Sequence, residues 1–567
     1  MRTRLILAAS LSLSAVLATT AAQVAPAASA DTSTATDYLV LFQGTSADAA
    51  ARAAIADSGG TITEENSKLG YAYVRTRSAA FAATMNASGA VVGVAKERSI
   101  GSVPKTRRAK ATDIERLAGK GGGAQTEGLA DAPAVEGDAD AVTPEPLANR
   151  QWDMRQIGAT AQGSYAESTG SKRVRVGIID TGVDGSHPDI AANFSKRLSR
   201  NFVTDMVDID GECEHRGCVD PVDEDDDGHG THVASTIGSP INGLGMAGVA
   251  PNVTLVNIRA GQDSGYFFLR PTLKALTYAG DIGVDVVNMS YYVDPWLYNC
   301  LDNPADTPAQ QAEQRVVRMA TQRALNYAMH RGVLPVSAMG NGATDLGRPT
   351  VDTSSPDYPE GAAKERTVDN SCITVPTESR GVVAVSSIGP SMRKAYYSDY
   401  GVEQTDVSAP GGDVYDSPDN SRDVRNTVLA AYPKALAEQS GLLDPDGTPN
   451  DPSIVRDCTG SVCGYYQYLQ GTSMASPHAA GVAALVISRH GHRDAAHGGL
   501  TLRTERSRQL LYRTAQPHPC PQPRLFHYTR ILTDGTVSES DARCQGPLTK
   551  NGFYGRGVVN AYTAVTR

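Results

Sequence analysis

Short apolar runs recur along the second part of the chain and constrain its fold more than any other feature. From Gln151 onward they alternate with stretches of helical character, such as residues 273–280 and 313–331. The runs are residues 174–179, 253–258, 284–289, 333–338 and 382–386. Apolar runs of this length are typical of strands buried on both faces, and their alternation with helices favours a parallel sheet. The sequence therefore predicts an α/β fold with helices on both faces of a parallel sheet, whose chemistry gathers at the carboxyl ends of the strands.

Three polar residues lie where such a fold would place chemistry. Asp180 ends the first apolar run, so we expect its carboxylate at a strand end, rigid and partly desolvated. His229 lies between two glycines at the predicted start of a helix. Ser473 precedes the apolar run 479–487, which predicts a buried helix whose N-terminal N–H groups could stabilise an oxyanion.

Each of these residues alone has a simpler interpretation. Ser473 could cap its helix, Asp180 could be structural and His229 could lie on the surface. Their order along the chain, Asp then His then Ser, is that of the catalytic triad in subtilisin, whereas unrelated serine hydrolases use other orders. The combination favours a nucleophilic serine over three unconnected structural residues.

The chain resembles the subtilisin-like serine peptidases, the subtilases. The resemblance is carried by seven segments in order: IIDTGVDGSHPDI from Ile178, HGTHVA from His229, VAPNVTLVNIR from Val249, VVNMS from Val286, GNG from Gly340, SAPGG from Ser408 and GTSMASPH from Gly471. The sequence YGRGVVNA from Tyr554 is similar to the closing segment of the same domain. The resemblance implies a subtilisin-like catalytic domain over residues 150–567.

The resemblance also implies a role for each matching residue. Ser473 would be the nucleophile, His229 the general base, and Asp180 the group that orients the imidazole. Asn341 matches the asparagine whose amide, with the Ser473 N–H, forms the oxyanion hole; an Asn-Gly turn is the alternative. We expect His232, one helical turn after His229, to pack locally.

A structural calcium ion is a further implication of the resemblance. Asp189 and Asn242 match positions at which many subtilases hold calcium, together with carbonyl groups of the loop 240–246. Calcium takes about six to eight oxygen ligands, of which only two side chains are identifiable here. The acidic run 220–227 is interpreted as a solvated loop, with a second cation site as the alternative. No organic cofactor is expected.

The N-terminus has the pattern of a secretory signal. Two arginines lie within the first four residues, residues 5–17 are apolar, and Ala28-Ser29-Ala30 is a small-residue cleavage site. This predicts a signal peptide over residues 1–30, with a buried N-terminal helix as the alternative. The apolar core is too short for a membrane anchor, and no later run is long enough, so we expect a secreted, extracellular protein.

Residues 37–104 predict a small α+β unit. Strands are expected near residues 38–42, 69–74 and 90–95, and helices near 47–57 and 78–85. Position and pattern resemble the inhibitory propeptide of secreted proteases, which implies that the chain inhibits itself before processing. Residues 105–149 are rich in Gly, Ala, Pro and acidic residues and predict a flexible linker, whose basic start at 105–110 is open to cleavage.

Cysteine content and charge agree with an exported protein. All eight cysteines lie between Cys213 and Cys544, and an even number in an exported chain favours disulfides over zinc, for which a second ligand pair is missing. Sequence order favours, without fixing, the pairs Cys213–Cys218, Cys300–Cys372, Cys458–Cys463 and Cys520–Cys544. The net charge of −10 argues against nucleic-acid binding. We expect a monomer that acts on protein or peptide substrates.

The chain departs from the family pattern around the expected substrate cleft. Tyr291 and Tyr292 follow Ser290, where the family has a small, glycine-containing segment, so the cleft is expected to be narrower. Insertions, most of them with cysteines, enlarge the loops at residues 205–227, 296–308, 344–372, 415–468 and 498–546. The sequence thus predicts a secreted serine endopeptidase. A dedicated processing protease or peptide ligase of narrow range and a catalytically inactive binding protein are the alternatives.

Overall fold

The computed structural model describes residues 35–97, 115, 145–359 and 361–567. The predicted signal peptide and most of the predicted linker lie outside the described residues. The helices are α1 (Ala49–Asp57), α2 (Phe81–Ala87), α3 (Trp152–Gln156), α4 (Ser164–Glu167), α5 (His229–Gly238), α6 (Leu269–Asp281), α7 (Pro308–Met329), α8 (Lys434–Gln439), α9 (Thr472–His490), α10 (Thr504–Thr514) and α11 (Ala561–Thr566).

Two groups of strands belong to two units of the fold. The strands of the N-terminal unit are β1 (Thr36–Phe42), β2 (Gly60–Asn66), β3 (Tyr71–Thr76) and β4 (Val91–Lys96). The strands of the larger unit are β5 (Arg175–Ile179), β6 (Arg200–Asn201), β7 (Thr254–Arg259), β8 (Val286–Met289), β9 (Leu334–Ala338), β10 (Val351–Asp352), β11 (Arg366–Thr367), β12 (Val383–Ile388), β13 (Val407–Pro410), β14 (Val428–Ala431), β15 (Ile454–Thr459), β16 (Val462–Leu469), β17 (His492–Arg493), β18 (Leu500–Thr501), β19 (Leu525–Ile531) and β20 (Val537–Arg543).

A seven-stranded sheet forms the centre of the larger unit. Its strand order is β13-β12-β9-β8-β5-β7-β6, and every neighbouring pair is parallel. The carboxyl ends of parallel strands meet at one edge, and β5, which leads to Asp180, lies inside the sheet between β7 and β8. The predicted α/β fold, with helices on both faces, is confirmed.

The strands are apolar throughout because each face of the sheet has its own hydrophobic core. On one face, Val286 of β8 packs in a cluster with residues of α5 and α9. Its neighbour Val287 points to the opposite face and packs with residues of α6 and α7. Alternate residues of one strand thus enter different cores, and both positions must be apolar.

The N-terminal unit packs against the second of these faces. Its antiparallel sheet, in the order β2-β3-β1-β4, buries one face under α1 and α2. Residues of the other face, such as Leu39 and Tyr73, share a hydrophobic cluster with Val316 and Val317 of α7. Arg270 of α6 adds ion pairs with Glu64 (3.0 Å) and Glu97 (3.1 Å).

Disulfides fasten the inserted loops. The structure joins the four cysteine pairs that sequence order favoured. Two insertions carry regular structure of their own: residues 415–468 contain the hairpin β15-β16, which pairs with β14, and residues 498–546 contain α10 and the hairpin β19-β20. Within the described ranges, no helix has both the length and the apolar character needed to cross a bilayer.

Candidate active site

Asp180 and His229 form a hydrogen-bonded pair at the carboxyl edge of the sheet. Asp180 directly follows β5 and is fully buried. Its Oδ1 accepts hydrogen bonds from the Thr181 N–H (2.8 Å) and from Nδ1 of His229 (2.7 Å), the first residue of α5. A Cβ at Gly230 would lie 2.0 Å from the Gly182 carbonyl oxygen, so α5 can approach the loop after β5 only with glycine there.

The negative groups around His229 favour its protonated form. Burial by itself would lower the pKa of the imidazole, but the charge and hydrogen bond of Asp180 and the charges of Glu115 and Asp227 raise that pKa to about 10. An imidazolium has no lone pair with which to accept a proton. The charge of Glu115 therefore works against the neutral form of His229, which is the form that acts as a base.

Ser473 and Asn341 direct their polar groups at one point. Ser473 is the second residue of α9, and its Oγ donates a 2.7 Å hydrogen bond to Oε1 of Glu115. The Nδ2 of Asn341 donates to the same oxygen at 2.8 Å. The Oδ1 of Asn341 accepts from the N–H (2.9 Å) and Oγ1 (3.0 Å) of Thr472, which fixes the amide with its donor end facing this point. The amide donor of Asn341 and the nucleophilic hydroxyl of Ser473 thus face the same point, as they would beside an oxyanion hole.

The carboxylate of Glu115 lies between the serine and the histidine. Its Oε2 is 3.6 Å from Nε2 of His229, while its Oε1 accepts from Ser473 and Asn341. No hydrogen bond joins the two described residues Ser473 and His229. Glu115 belongs to the segment predicted as a linker, where composition alone gave no signal of a contact with the site.

His232 does not contribute to this cluster. It is fully buried, and its Nε2 lies 3.1 Å from the carbonyl oxygens of both Val428 and Gln467. Burial lowers the pKa of this imidazole to about 3, so it remains neutral. The expectation of local packing agrees with these contacts.

The predicted calcium ligands Asp189 and Asn242 meet, but their surroundings do not fit a cation. Asn242 turns its Nδ2 toward Oδ1 of Asp189 (3.3 Å), and its Oδ1 accepts from the Leu244 N–H. The other oxygen of Asp189 accepts from the Met246 N–H (3.1 Å) and from the hydroxyl of Tyr466 (3.3 Å). Calcium needs converging oxygens, whereas hydrogen-bond donors converge here. The sequence did not predict the part played by Tyr466. This residue belongs to the insertion 415–468, and its hydroxyl contacts Asp189 where the resemblance implied a calcium ion.

A cleft with a volume of about 610 Å³ extends from Ser473 along the carboxyl edge of the sheet. The ring of Tyr291 stacks on Phe267, with 4.1 Å between ring centroids, and Tyr292 donates a 2.5 Å hydrogen bond to Asp357. The cleft is lined by residues of the insertions 296–308 and 344–372. Of the other three insertions, only Asp227 contributes to the described lining. The larger insertions at 415–468 and 498–546 lie elsewhere on the molecule, contrary to the expectation that they surround the cleft.

Comparisons with known proteins point to one family. A model of the subtilase family matches residues 171–556, more than half of the chain. The chain is similar to a thermophilic serine proteinase of Bacillus sp. (strain AK1), 28% identical over 321 residues (56% of this chain and 53% of that protein). It is also similar to subtilisin DY of Bacillus licheniformis, 27% identical over 317 residues (56% of this chain and 77% of that protein). The chain thus spans about half the length of the first relative.

The fold has counterparts among solved structures. One is the epidermin leader peptide processing serine protease of Staphylococcus aureus, with a TM-score of 0.57 and 20% identity. The similarity covers 94% of this chain and 98% of that one, and therefore includes the N-terminal unit.

Proposed function

Because the chain belongs to the subtilase family, we propose that it is a secreted serine endopeptidase that hydrolyses peptide bonds through an acyl-enzyme. One observation carries the proposal: the hydroxyl of Ser473 and the amide of Asn341 donate to the same oxygen, 2.7 Å and 2.8 Å away. On the other side of the Glu115 carboxylate, His229 forms a hydrogen bond with Asp180. A substrate carbonyl oxygen at that point would have an oxyanion hole and a nucleophile beside it.

Acylation follows from this geometry once Glu115 has left the site. His229 removes the proton from Ser473 as Oγ attacks the carbonyl carbon, and Asp180 stabilises the imidazolium that forms. The negative charge that develops on the carbonyl oxygen is stabilised by the Asn341 amide and the Ser473 N–H. Collapse of the tetrahedral intermediate breaks the C–N bond, and His229 delivers the proton to the leaving amine.

Deacylation repeats these steps with water as the nucleophile. His229, neutral again, takes a proton from a water molecule that attacks the acyl carbon. The second tetrahedral intermediate uses the same oxyanion hole; its collapse breaks the bond between the acyl carbon and Oγ, His229 returns its proton to Oγ, and the carboxylic acid is released.

We further propose that the protein is made as an inactive precursor with a signal peptide at 1–30, an inhibitory unit at 37–104 and a linker at 105–149. The packing of the N-terminal unit on α6 and α7 supports this, because the unit lies against the catalytic domain. The carboxylate of Glu115 in the oxyanion site supports it as well, because it separates the nucleophile from its base.

A dedicated processing protease of narrow range is the second candidate. It is favoured by Tyr292, whose hydrogen bond to Asp357 joins the segment after Ser290 to the insertion 344–372 at the lining of the cleft. Comparing the cleavage of denatured casein with that of short peptides separates the two candidates. Broad cleavage of casein supports the general endopeptidase, and cleavage of a few peptides alone supports the narrow enzyme.

The peptidase proposal is tested with the processed wild-type protein and two serine variants. Ser473→Ala should abolish cleavage of casein and of peptides. Ser488 lies on the same helix and donates a hydrogen bond to the carbonyl oxygen of Ala484, so Ser488→Ala should leave cleavage intact. Absence of any peptide cleavage by the wild type, or undiminished cleavage by Ser473→Ala, would contradict the proposal.

A further inference from the structure

The cleft beside Ser473 is lined by carboxylates, and among the described residues that line it there is no lysine or arginine. The carboxylates are those of Glu115, Asp227, Asp294, Asp352, Asp357 and Asp399. One of them, Asp352, is neutralised by a buried ion pair with Arg366. Among the described residues, the lining thus contains carboxylates and no lysine or arginine, a composition that favours a cationic occupant.

Asp399 is the carboxylate that lies against the oxyanion segment itself. Its Oδ1 accepts a 2.7 Å hydrogen bond from the Thr344 N–H. A Cβ at Gly340 would lie 2.3 Å from its Oδ2, so this carboxylate contacts the backbone next to Asn341. The side chain thus borders the cleft beside the point where Asn341 and Ser473 converge.

The charge of Asp399 is not balanced by an ion pair within the described part of the chain. The nearby ammonium of Lys394 is buried and donates instead to the carbonyl oxygens of Ala395 and Ser398, both at 2.8 Å. Burial raises the pKa of the Asp399 carboxyl to about 7, although the charge of Lys394 and backbone hydrogen bonds act to lower it. The charged form of a buried carboxylate without an ion-pair partner is stabilised when a cation binds beside it.

Glu378 places a second carboxylate close to the same wall. Its Oε2 accepts a 2.7 Å hydrogen bond from the N–H of Thr374, which lines the cleft. Burial raises the pKa of Glu378 to about 7, and the charge of Asp399 contributes to the rise. The negative charges of Asp399 and Glu378 therefore repel each other, and a cation bound in the cleft near Thr374 and Asp399 would stabilise both.

We propose that this part of the cleft binds the side chain of a lysine or arginine at the substrate residue that precedes the scissile bond, with Asp399 as its counter-ion. The inference rests on the proposed peptidase function, which places the scissile carbonyl between Asn341 and Ser473. The residue that supplies this carbonyl would place its side chain next to the backbone of Gly340. The carboxylate of Asp399 lies behind that backbone.

The chain's own sequence offers residues of this kind near the site. The stretch 105–120 contains six basic residues, and Arg116 directly follows Glu115, whose carboxylate occupies the oxyanion site. Because this stretch joins the N-terminal unit to the catalytic unit, it is the first substrate within reach. We expect the mature N-terminus to follow a lysine or an arginine of this stretch.

The test uses the processed protein and four peptides that differ only at the residue before the scissile bond. Arginine, lysine, citrulline and norleucine are compared, since citrulline has the shape of arginine without its charge. Arginine and lysine should give values of kcat/KM at least about tenfold above citrulline and norleucine, the order expected for a buried charge pair.

Asp399→Asn, which keeps an acceptor for the Thr344 N–H, should reduce the arginine-to-citrulline ratio to about one-tenth of its wild-type value or less. Asp345→Asn, which removes a neighbouring carboxylate outside the cleft lining, should leave the ratio unchanged.

The outcomes separate this inference from the peptidase proposal. Equal or better cleavage of citrulline or norleucine by the wild type, or an Asp399→Asn variant with an undiminished ratio, overturns the cationic pocket alone. Failure of every peptide, together with no labelling of Ser473 by a fluorophosphonate, overturns both. The wild-type ranking does not depend on the folding of any variant, and mass spectrometry of the mature N-terminus gives an independent readout in which cleavage after an apolar residue counts against the inference.

Discussion

Asn341 has a fixed orientation because Thr472 donates to its Oδ1 through both backbone and hydroxyl, 2.9 Å and 3.0 Å away. Asn341→Ala removes one of two donors to the oxyanion. We expect kcat to fall by about 10² to 10³, the loss found when the matching donor is removed from subtilisin, a member of the same family. Steady-state kinetics on one peptide measure the loss, with circular dichroism to verify the fold.

Asn242→Ala is the matched control for this prediction. Asn242 lies in the loop beside Asp189, outside the residues that line the cleft. Its turnover should stay near that of the wild type. Wild-type turnover in Asn341→Ala would show that this amide is no oxyanion donor.

The selectivity of the cleft should depend on pH through Asp399. Burial raises the pKa of this carboxyl to about 7, so its charged fraction grows as the pH rises through that value. The neighbouring groups Lys394 and Glu378 titrate in the same range, because burial lowers the pKa of Lys394 and raises that of Glu378, each to about 7. Only the charged form of Asp399 attracts a guanidinium. The ratio of kcat/KM for the arginine peptide to that for the citrulline peptide should therefore be low at pH 5 and rise to a plateau above about pH 8.

The ratio isolates this effect because His229 titrates identically for both peptides. In Asp399→Asn the ratio should be small and independent of pH. A wild-type ratio that is flat, or that falls as the pH rises, would exclude Asp399 as the counter-ion.

At the residue scale, the sequence was informative where a residue type is tied to a motif. Asp180, His229, Ser473 and Asn341 each stand in a recognisable segment; the fold brings the last three to one cleft and buries Asp180 behind His229. Asp399 was not foreseen, because a Ser-Asp-Tyr-Gly segment far from the motifs looks like any turn. Its proximity to Gly340 arises only from the folded backbone.

At the element scale, the contacts of Glu115 with Ser473 and Asn341 assign the linker a part in the proposed inhibited precursor. Glu115→Ala should leave the Ser473 hydroxyl and the His229 imidazole without the intervening carboxylate. The pKa of His229 should fall, because one of the negative charges that raise it is removed. We expect a fluorophosphonate to label the unprocessed precursor several-fold faster in this variant than in the wild type.

Labelling is followed on the precursor band, separately from the mature band. Asp113→Asn, a neighbouring carboxylate in the same segment, is the control and should label like the wild type. Equal labelling of the wild type and Glu115→Ala precursors would show that the carboxylate does not restrain the site.

The disulfides should differ in what they contribute to stability. Cys300–Cys372 closes a separation of 72 residues, and Cys458–Cys463 closes one of 5. In the chain-entropy model the difference is three halves of RT times the logarithm of the ratio of these lengths, or about 2 kcal/mol. Replacing both cysteines of the first pair by serine should therefore lower the unfolding midpoint more than the same change in the second pair. Equal or reversed losses, measured on the mature protein with Ser473 blocked, would contradict this account.

At the level of elements, the buried strands of the central sheet were predictable because both of their faces are apolar. The edge strand β2 of the N-terminal unit was missed, since its sequence TITEEN is polar and half-buried. The strands β15, β19 and β20 were assigned to loops because they are half-buried or exposed over most of their length. In these strands and in β2 the pairing, and not the burial of apolar side chains, defines the strand. The strand β16 was missed although its residues 464–469 are buried.

At the scale of the whole molecule, the two units are joined by apolar and charged contacts together. The sheet of the N-terminal unit contributes side chains such as Leu39 and Tyr73 to the core beneath α7. Around it, Arg270 pairs with Glu64 and Glu97. In the proposed precursor, these contacts would hold the N-terminal unit on the catalytic unit until the segment between them is cut. The face on which they pack could not be predicted from composition.

The central claim is that Ser473 is a nucleophile activated by its surroundings, and covalent labelling tests it most directly. The processed protein is treated with a fluorophosphonate, digested and analysed by mass spectrometry. The account predicts a single adduct, on the peptide that contains Ser473, and none in Ser473→Ala, while Ser488→Ala labels normally. An adduct on another residue, or proteolytic activity that persists without any adduct on Ser473, would contradict it.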